Sequence, residues 1–298
     1  PPAPAGRFLR PAAGRRPFSV PLPHRGPKGK CRADLFLLVF ARRMHYLCRV
    51  TRPAPCPTPP RTARRRPQTA FTRMKIACLT FNPIQENTYV LWDETNQCAV
   101  IDAGNSNDRE NAALRNFIEQ HGLHPVLAAN TPPPPGHFDH TLGVEFLKRQ
   151  YGIPFALSSK DRFLLENASV SGSVFGVPVG AMPTVDIDLE TTPELHFGQT
   201  TLRVIHTPGH TPGHVSLYEP ESKSLFTGDT LFRESIGRTD LPGGDYSWIM
   251  RSILDNLLPL GDEVRVYPGH GPETTIGHEV LYNPFVTEVL NQEVNYKN

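Results

Sequence analysis

Regular hydrophobic patterning begins at Met74 and continues through the rest of the chain. Lys75–Phe81, Thr88–Trp92 and Cys98–Asp102 read as three short strands, set apart by turn-forming Asn, Pro, Asp and Glu. Over Asn107–His121 the apolar residues Ala112, Leu114, Phe117 and Ile118 recur at helical spacing, and Gly122 closes the pattern. Val126–Ala129 reads as a buried strand, Leu142–Tyr151 as a second helix, Pro154–Leu157 as a strand, and a further helix is expected near Asp161–Glu166. Residues 168–185 are rich in Gly, Ser, Val and Pro and read as a surface loop. Strands return at Leu195–Phe197, Thr201–Ile205, Val215–Tyr218 and Ser224–Thr227. A helix over Tyr246–Leu258, a strand over Val264–Tyr267 and a helix near Val280–Leu290 follow. Helices fall between groups of strands, an order that two sheets sandwiched by helices would satisfy.

Composition divides the chain at the same point. The first 73 residues carry 15 Arg and 2 Lys against the single acid Asp34, and hold 14 of the 32 prolines. The remainder carries 14 basic and 28 acidic side chains, so a near-neutral total of +2 hides a strongly basic and a strongly acidic part. Residues 1–73 lack periodicity and apolar content, and are expected to be a disordered basic extension. An Arg-rich, acid-poor leader addressing an organelle is one use for such a segment, a nucleic-acid-binding arm another, and upstream sequence joined to a protein that begins at Met74 a third. The working division is therefore 1–73 as extension and 74–298 as the folded domain. The longest apolar run, Leu35–Phe40, is about a third of the roughly 18 residues that span a bilayer, so no membrane partner is expected. Five cysteines with no C-x-x-C pair argue against a disulfide framework and for a reducing, cytoplasmic setting. Cys78 and Cys98 fall inside expected strands, where a buried free thiol is the usual outcome.

Four polar turns follow four of the expected strands. His137-Phe138-Asp139-His140 puts three potential ligands in four residues, which cannot share one strand face and so must turn. His206-Thr207-Pro208-Gly209-His210-Thr211-Pro212-Gly213-His214 holds two Pro-Gly turns around His210, while His206 and His214 are better suited to structural hydrogen bonds. Thr227-Gly228-Asp229-Thr230 places a carboxylate past a strand, and Tyr267-Pro268-Gly269-His270-Gly271 places an imidazole past another. Mixed nitrogen and oxygen donors suit zinc, iron or manganese better than calcium.

The set GHFDH, TPGHTPGH, FTGDTLF and YPGHG, in that order, resembles the metallo-β-lactamase superfamily, and within it the glyoxalase II-like (hydroxyacylglutathione hydrolase) family. SIGRTDLPGGD at 235–245 and TTIGHE at 274–279 resemble the short branch of that family. The resemblance covers 74–298 and implies an αββα sandwich, two mixed sheets flanked by helices, with a two-metal site at one edge. It assigns His137 and His210 to a first metal, Asp139, His140 and His270 to a second, and Asp229 to a bridge. It implies zinc, up to two ions, with iron or manganese as substitutes. Asp139 would also orient the metal-bound hydroxide that attacks a thioester carbonyl. Arg238 matches the position where the family sets a cation against a glutathione carboxylate, so the expected substrate is a small S-acylglutathione of the lactoylglutathione kind.

One departure from the family wording is chemically consequential. Where the family reads N-T-H-G-H-F-D-H, this chain reads Asn130-Thr131-Pro132-Pro133-Pro134-Pro135-Gly136-His137. Proline has no side-chain donor, so the first metal loses one ligand. Either one metal site remains complete, or the proline run is a fault in the sequence. The same loss keeps two other readings open, a one-iron sulfur dioxygenase of the superfamily and a non-catalytic member. A nuclease is disfavoured, because the acidic 74–298 region repels phosphate backbones.

Overall fold

The computed structural model describes residues 74–131, 138–161 and 183–295. The basic extension, the proline run, His137, all but the first residue of the helix expected near Asp161–Glu166 and most of the loop expected at 168–185 lie outside the described residues.

The first sheet runs β1 (Lys75–Phe81), β2 (Glu86–Trp92), β3 (Gln97–Ile101), β4 (His124–Ala129), β5 (Phe155–Leu157) and β6 (Ile187–Asp188), in that spatial order. β1, β2 and β3 are antiparallel neighbours, whereas β3 to β6 run parallel. Parallel neighbours need crossovers. Two of these are helical, α1 (Asp108–Gln120) from β3 to β4 and α2 (Val144–Tyr151) from β4 to β5. Asn107 caps α1 by accepting from the Glu110 N–H.

The second sheet contains β7 (Glu194–Phe197), β8 (Thr200–His206), β9 (Val215–Glu219), β10 (Ser224–Gly228), β13 (Arg265–Pro268) and β14 (Thr274–Thr275), ordered β14-β13-β10-β9-β8-β7. Only β10 and β13 pair in parallel. A small hairpin of β11 (Leu231–Phe232) and β12 (Ser235–Ile236) leaves the end of β10. Among the described residues three further α-helices follow, α3 (Tyr246–Arg251), α4 (Ile276–Tyr282) and α5 (Pro284–Asn295).

Side-chain alternation along the strands builds three apolar layers. Tyr89, Leu91, Ala99, Ile101 and Ala129 of the first sheet meet Leu195, Phe197, Leu202, Leu217 and Phe226 of the second in the central core. Val90, Cys98, Val100, Ala128 and Phe155 point the other way, against Leu114 and Ile118 of α1 and Phe146 and Leu147 of α2. Leu225 and Val266 face Ile249 and Met250 of α3, together with Ile276 and Val286. Helices thus cover both outer faces, and the fold is the expected αββα sandwich of two mixed sheets.

Several local expectations need correction. β2 starts at Glu86, two residues early, because its pairing with β1 runs without a break to Phe81. The helix expected over Tyr246–Leu258 is α-helical only to Arg251. It widens to a π-helix over Ser252–Leu257, where Ser252 Oγ turns to donate to the Pro208 carbonyl. The last helix divides at Asn283, whose extended backbone ends α4 and whose side chain accepts from the Phe285 N–H, with Pro284 opening α5. Cys98 is buried as expected, but Cys78 is exposed, since among the described residues β1 is an edge strand partnered by β2. Among the described residues no helix is long and apolar enough to cross a membrane.

Candidate metal centre

Strand ends from both sheets converge on one point. A 3-10 turn over Phe138–His140 carries Asp139 and His140, the turn after β8 carries His210, the end of β10 carries Asp229, and the end of β13 carries His270. Nε2 of His270 lies 3.3 Å from Asp139 Oδ2 and 3.8 Å from Asp229 Oδ1. Nε2 of His140 lies 3.5 Å from Asp229 Oδ1 and 3.8 Å from Asp139 Oδ2. The second oxygen of Asp229 faces the other way, with Oδ2 3.5 Å from His210 Nε2.

These separations match what an ion would impose. Donor atoms held at about 2.0–2.1 Å by one tetrahedral ion sit roughly 3.3 Å from each other. Asp139, His140 and His270 present ligand atoms all within 4.8 Å of one another. Asp139, His140, His210 and Asp229 are buried, whereas His270 keeps a quarter of its side chain exposed. A buried group of carboxylates and imidazoles is costly without a compensating charge, and a divalent cation supplies it.

Glycine lets the backbone pack closely at two of these turns. A Cβ on Gly269 would stand 2.5 Å from Asp229 Oδ1 and 2.6 Å from His140 Cε1, so the P-G-H turn needs glycine to approach the carboxylate. Gly209 has φ +139°, and a Cβ there would lie 2.1 Å from the Ile249 nitrogen of α3. We expect Gly269→Ala to fold while losing metal, because its added methyl group displaces Asp229 and His140. Metal content and circular dichroism of the purified variant check this; an unchanged metal content contradicts it.

Polar groups behind the imidazoles orient them. His210 Nδ1 donates to the Arg238 carbonyl at 2.7 Å, which leaves Nε2 as the lone-pair nitrogen facing Asp229. His270 Nδ1 lies 3.3 Å from the Gln85 carbonyl. His140 Nδ1 faces Asp102 Oδ2 at 3.6 Å and Glu86 Oε1 at 3.9 Å, and its carbonyl accepts from Asn130 Nδ2. Asp102 is itself held by the Thr131 N–H at 2.7 Å and hydroxyl at 2.6 Å. His214 uses Nε2 to accept from the Asp229 N–H, so its Nδ1–H is turned toward the hydroxyls of Thr207 and Thr230. His206 is half-exposed at the end of β8, 3.8 Å from Glu190.

The electrostatics follow from this crowding. Burial pushes the Glu86 carboxyl well up, and the charge of Asp102 adds to the rise against the opposing pull of His140. For His140 burial disfavours the imidazolium, but Asp229 and Asp139 outweigh it and raise the ring well above its ordinary value. His270 is likewise raised, burial being outweighed by Asp139 and Asp229. Raised imidazole pKa values mean that protons compete for the metal-binding nitrogens at a higher pH than for an ordinary histidine. Metal affinity is therefore expected to fall on acidification from above the usual imidazole range, with protons taken up as metal leaves. Zinc titrations between roughly pH 6 and 9 check the sign, and affinity independent of pH in this range contradicts it.

Arg238 follows β12. Its side chain is half-exposed and forks onto Asp240, with Nε–Oδ1 and Nη2–Oδ2 both 2.8 Å, and the pair holds the Asp240 carboxyl at about 2. Glu86, Asn87, Asp102 and Asn130 went unassigned in the sequence. Asn87 Nδ2 donates to the carbonyls of Pro268 and Gly271, and Tyr89 Oη to that of Pro268, so β2 holds the turn of His270 from the opposite sheet. Asp102 had one visible signal, a carboxylate at a strand end followed by Ala-Gly. For Glu86 and Asn87 no motif spacing exists, since Glu86 meets His140 only in the folded sheet and Asn87 meets Pro268 and Gly271 across the two sheets.

Comparison with known proteins agrees with this geometry. Residues 136–270 match the family described as Metallo-beta-lactamase superfamily. Hydroxyacylglutathione hydrolase GloC of Haemophilus influenzae is 36% identical over 223 residues, covering 72% of this chain and 98% of that protein. The crystal structure of BLEG-1 B3 metallo-beta-lactamase is 37% identical, with a TM-score of 0.65 over 72% of this chain and 100% of that one. TTHA1623, crystallised in a di-iron-bound form, is 37% identical, with a TM-score of 0.61 over 70% of this chain and 99% of that one. The chain belongs to the metallo-beta-lactamase superfamily and is one of its metallo-hydrolases.

Proposed function

We propose that this protein hydrolyses small S-acylglutathione thioesters of the lactoylglutathione kind at a metal centre built from Asp139, His140, His270 and Asp229, with His137 and His210 completing its second half. The observation that carries the reading is Asp229, which offers one oxygen toward His140 and His270 and the other toward His210. Divalent zinc, or iron in its place, would when bound acidify water and polarise the substrate carbonyl. The di-iron form of TTHA1623 supports iron as the substitute.

The chain's own residues account for the rest of the chemistry. Asp139, buried with its carbonyl fixed by Asn82 Nδ2, orients the attacking water by accepting a hydrogen bond from it. Water oxygen bonds to the thioester carbon while Asp139 takes one water proton, the carbon–sulfur bond breaks with its electron pair leaving on sulfur, and the second proton is lost to solvent as the product carboxylic acid ionises. A thiol with a pKa near 8.5 departs as thiolate close to neutral pH, so no dedicated proton donor is required. Arg238, half-exposed beside the turn of His210, anchors a substrate carboxylate by exchanging its fork from Asp240 to the ligand. The 36% identity to GloC over nearly its whole length supports glutathione as the thiol carrier.

The full chain loaded with zinc, and separately with iron, is to be assayed on S-lactoylglutathione by release of free thiol. Turnover that disappears in His270→Ala supports the reading. A metal-loaded chain inert on S-lactoylglutathione contradicts it, and oxygen uptake on glutathione persulfide would identify dioxygenase chemistry instead.

A further inference from the structure

The β11–β12 hairpin connects two groups of the metal centre to the C-terminal helices. One arm begins at Leu231, two residues beyond Asp229, and the other ends at Ile236, two residues before Arg238. Between the arms the Gly237 N–H donates to the Thr230 carbonyl at 3.2 Å. Gly237 packs so closely that a Cβ there would lie 1.8 Å from the Asp229 carbonyl and 3.2 Å from His210 Nδ1. A shift of the hairpin therefore moves the Arg238 carbonyl that orients His210.

The tip of the hairpin is fixed from α4 and α5. Glu279, fully buried, accepts from the Glu234 N–H at 2.8 Å, from Asn283 Nδ2 at 2.9 Å and from Thr274 Oγ1 at 2.6 Å. Asn283, also fully buried, donates from Nδ2 to the Ser235 carbonyl at 3.0 Å. Glu234 sits at φ +57°, a conformation that a non-glycine residue holds only when its surroundings impose it. A buried carboxylate is placed at the tip of a two-residue turn, far along the chain from the metal ligands. Core packing alone does not require a charged group there, because an apolar residue would fill the volume without desolvating a charge.

We propose that Glu279 and Asn283 are positioning residues for the metal centre, acting through the β11–β12 hairpin on the Arg238 carbonyl that holds the His210 ring. They touch neither metal nor substrate. Together they fix the backbone of Glu234 and Ser235, and the hairpin transmits that position to residues 237–238. The TTIGHE segment thereby gains a role in the site, since Thr274 and Glu279 are its first and last residues.

The test uses the full chain and two readouts. Nitrogen-15 spectra of the metal-free protein report which ring nitrogen of His210 carries the proton, and competition with a chromophoric chelator gives zinc affinity. The wild type is expected to hold the Nδ1–H form. Glu279→Ala, which leaves the Glu234 N–H without its side-chain acceptor, is expected to mix the tautomers and to weaken the second zinc equivalent, the one that His210 faces, by about tenfold, at the lower end of the range for loss of an outer partner. Asn283→Ser keeps a capping oxygen for α5 but loses the amide donor, and is expected to do the same more mildly. Val286→Ala cuts neither tie; as a buried apolar truncation in α5 it should lower the melting temperature and leave both readouts unchanged. If Glu279→Ala does not fold, Asn283→Ser decides. An unaltered His210 tautomer and unaltered zinc affinity in the folded variants overturn the proposal, as does an equal change in Val286→Ala. The tautomer readout needs neither metal nor thioester, so its failure is separable from failure of the hydrolase reading.

Discussion

Asp229→Asn is expected to remove metal binding while leaving the fold in place. Asparagine keeps the shape of the side chain, and the Asp229 N–H that His214 accepts from is untouched. What is lost is the negative charge that faces His140 and His270 through one oxygen and His210 through the other. Affinity should fall by more than the roughly 10- to 100-fold that loss of an outer-sphere partner brings. In the wild type, metal at 100 times its dissociation constant adds about 2.7 kcal/mol to stability. For a domain of this size each kcal/mol raises the melting temperature by about 2–4 °C, so saturating zinc should raise it by about 5–10 °C. The variant should melt close to the metal-free wild type with zinc or without it. A zinc-dependent rise of equal size in both proteins contradicts the bridging role.

The second large effect concerns the proline run. Replacing Pro132–Pro135 by one histidine restores the N-T-H-G-H-F-D-H wording and supplies the imidazole that proline lacks. Metal content is expected to rise from about one ion toward two per chain, the second equivalent tightening on the order of tenfold or more. Thioester hydrolysis should rise with it, because the added donor completes the half of the site that His210 and Asp229 already face. Two ions without thioester turnover would point to another chemistry on the same fold. An unchanged occupancy would mean that the missing histidine does not limit the site.

The sandwich was legible because its strands are short, apolar and punctuated, and because Asn107, Gly122 and Gly152 mark helix boundaries in the sequence itself. The candidate ligands were legible for a related reason. Asp139, His140, His210, Asp229 and His270 each follow a strand in a turn whose Gly and Pro residues are visible in order. Elements of two residues, such as β6, β11, β12 and β14, carry no periodicity and went unread. The division at Asn283 was missed because the apolar pattern continues through it, while the capping that ends α4 is a backbone event. The supports of the site were invisible for a different reason. Asn87 reaches the turn of His270 only after the two sheets pack, Glu86 faces His140 only once the first sheet is assembled, and Glu279 acts through a hairpin that the sequence did not announce. His214 was read as a hydrogen-bonding residue and does hydrogen-bond, but its partner is the backbone of Asp229, which makes it part of the site's support.

The account stands on a metal bound by Asp139, His140, His270 and Asp229, and elemental analysis of the purified full chain measures it most directly. Zinc-saturated, gel-filtered protein is expected to retain about one ion per chain, with His270→Ala retaining far less. His206→Ala, whose half-exposed ring lies beside Glu190, should match the wild type. A wild-type chain that retains no metal, or a His270→Ala variant that retains as much as His206→Ala, would contradict the assignment.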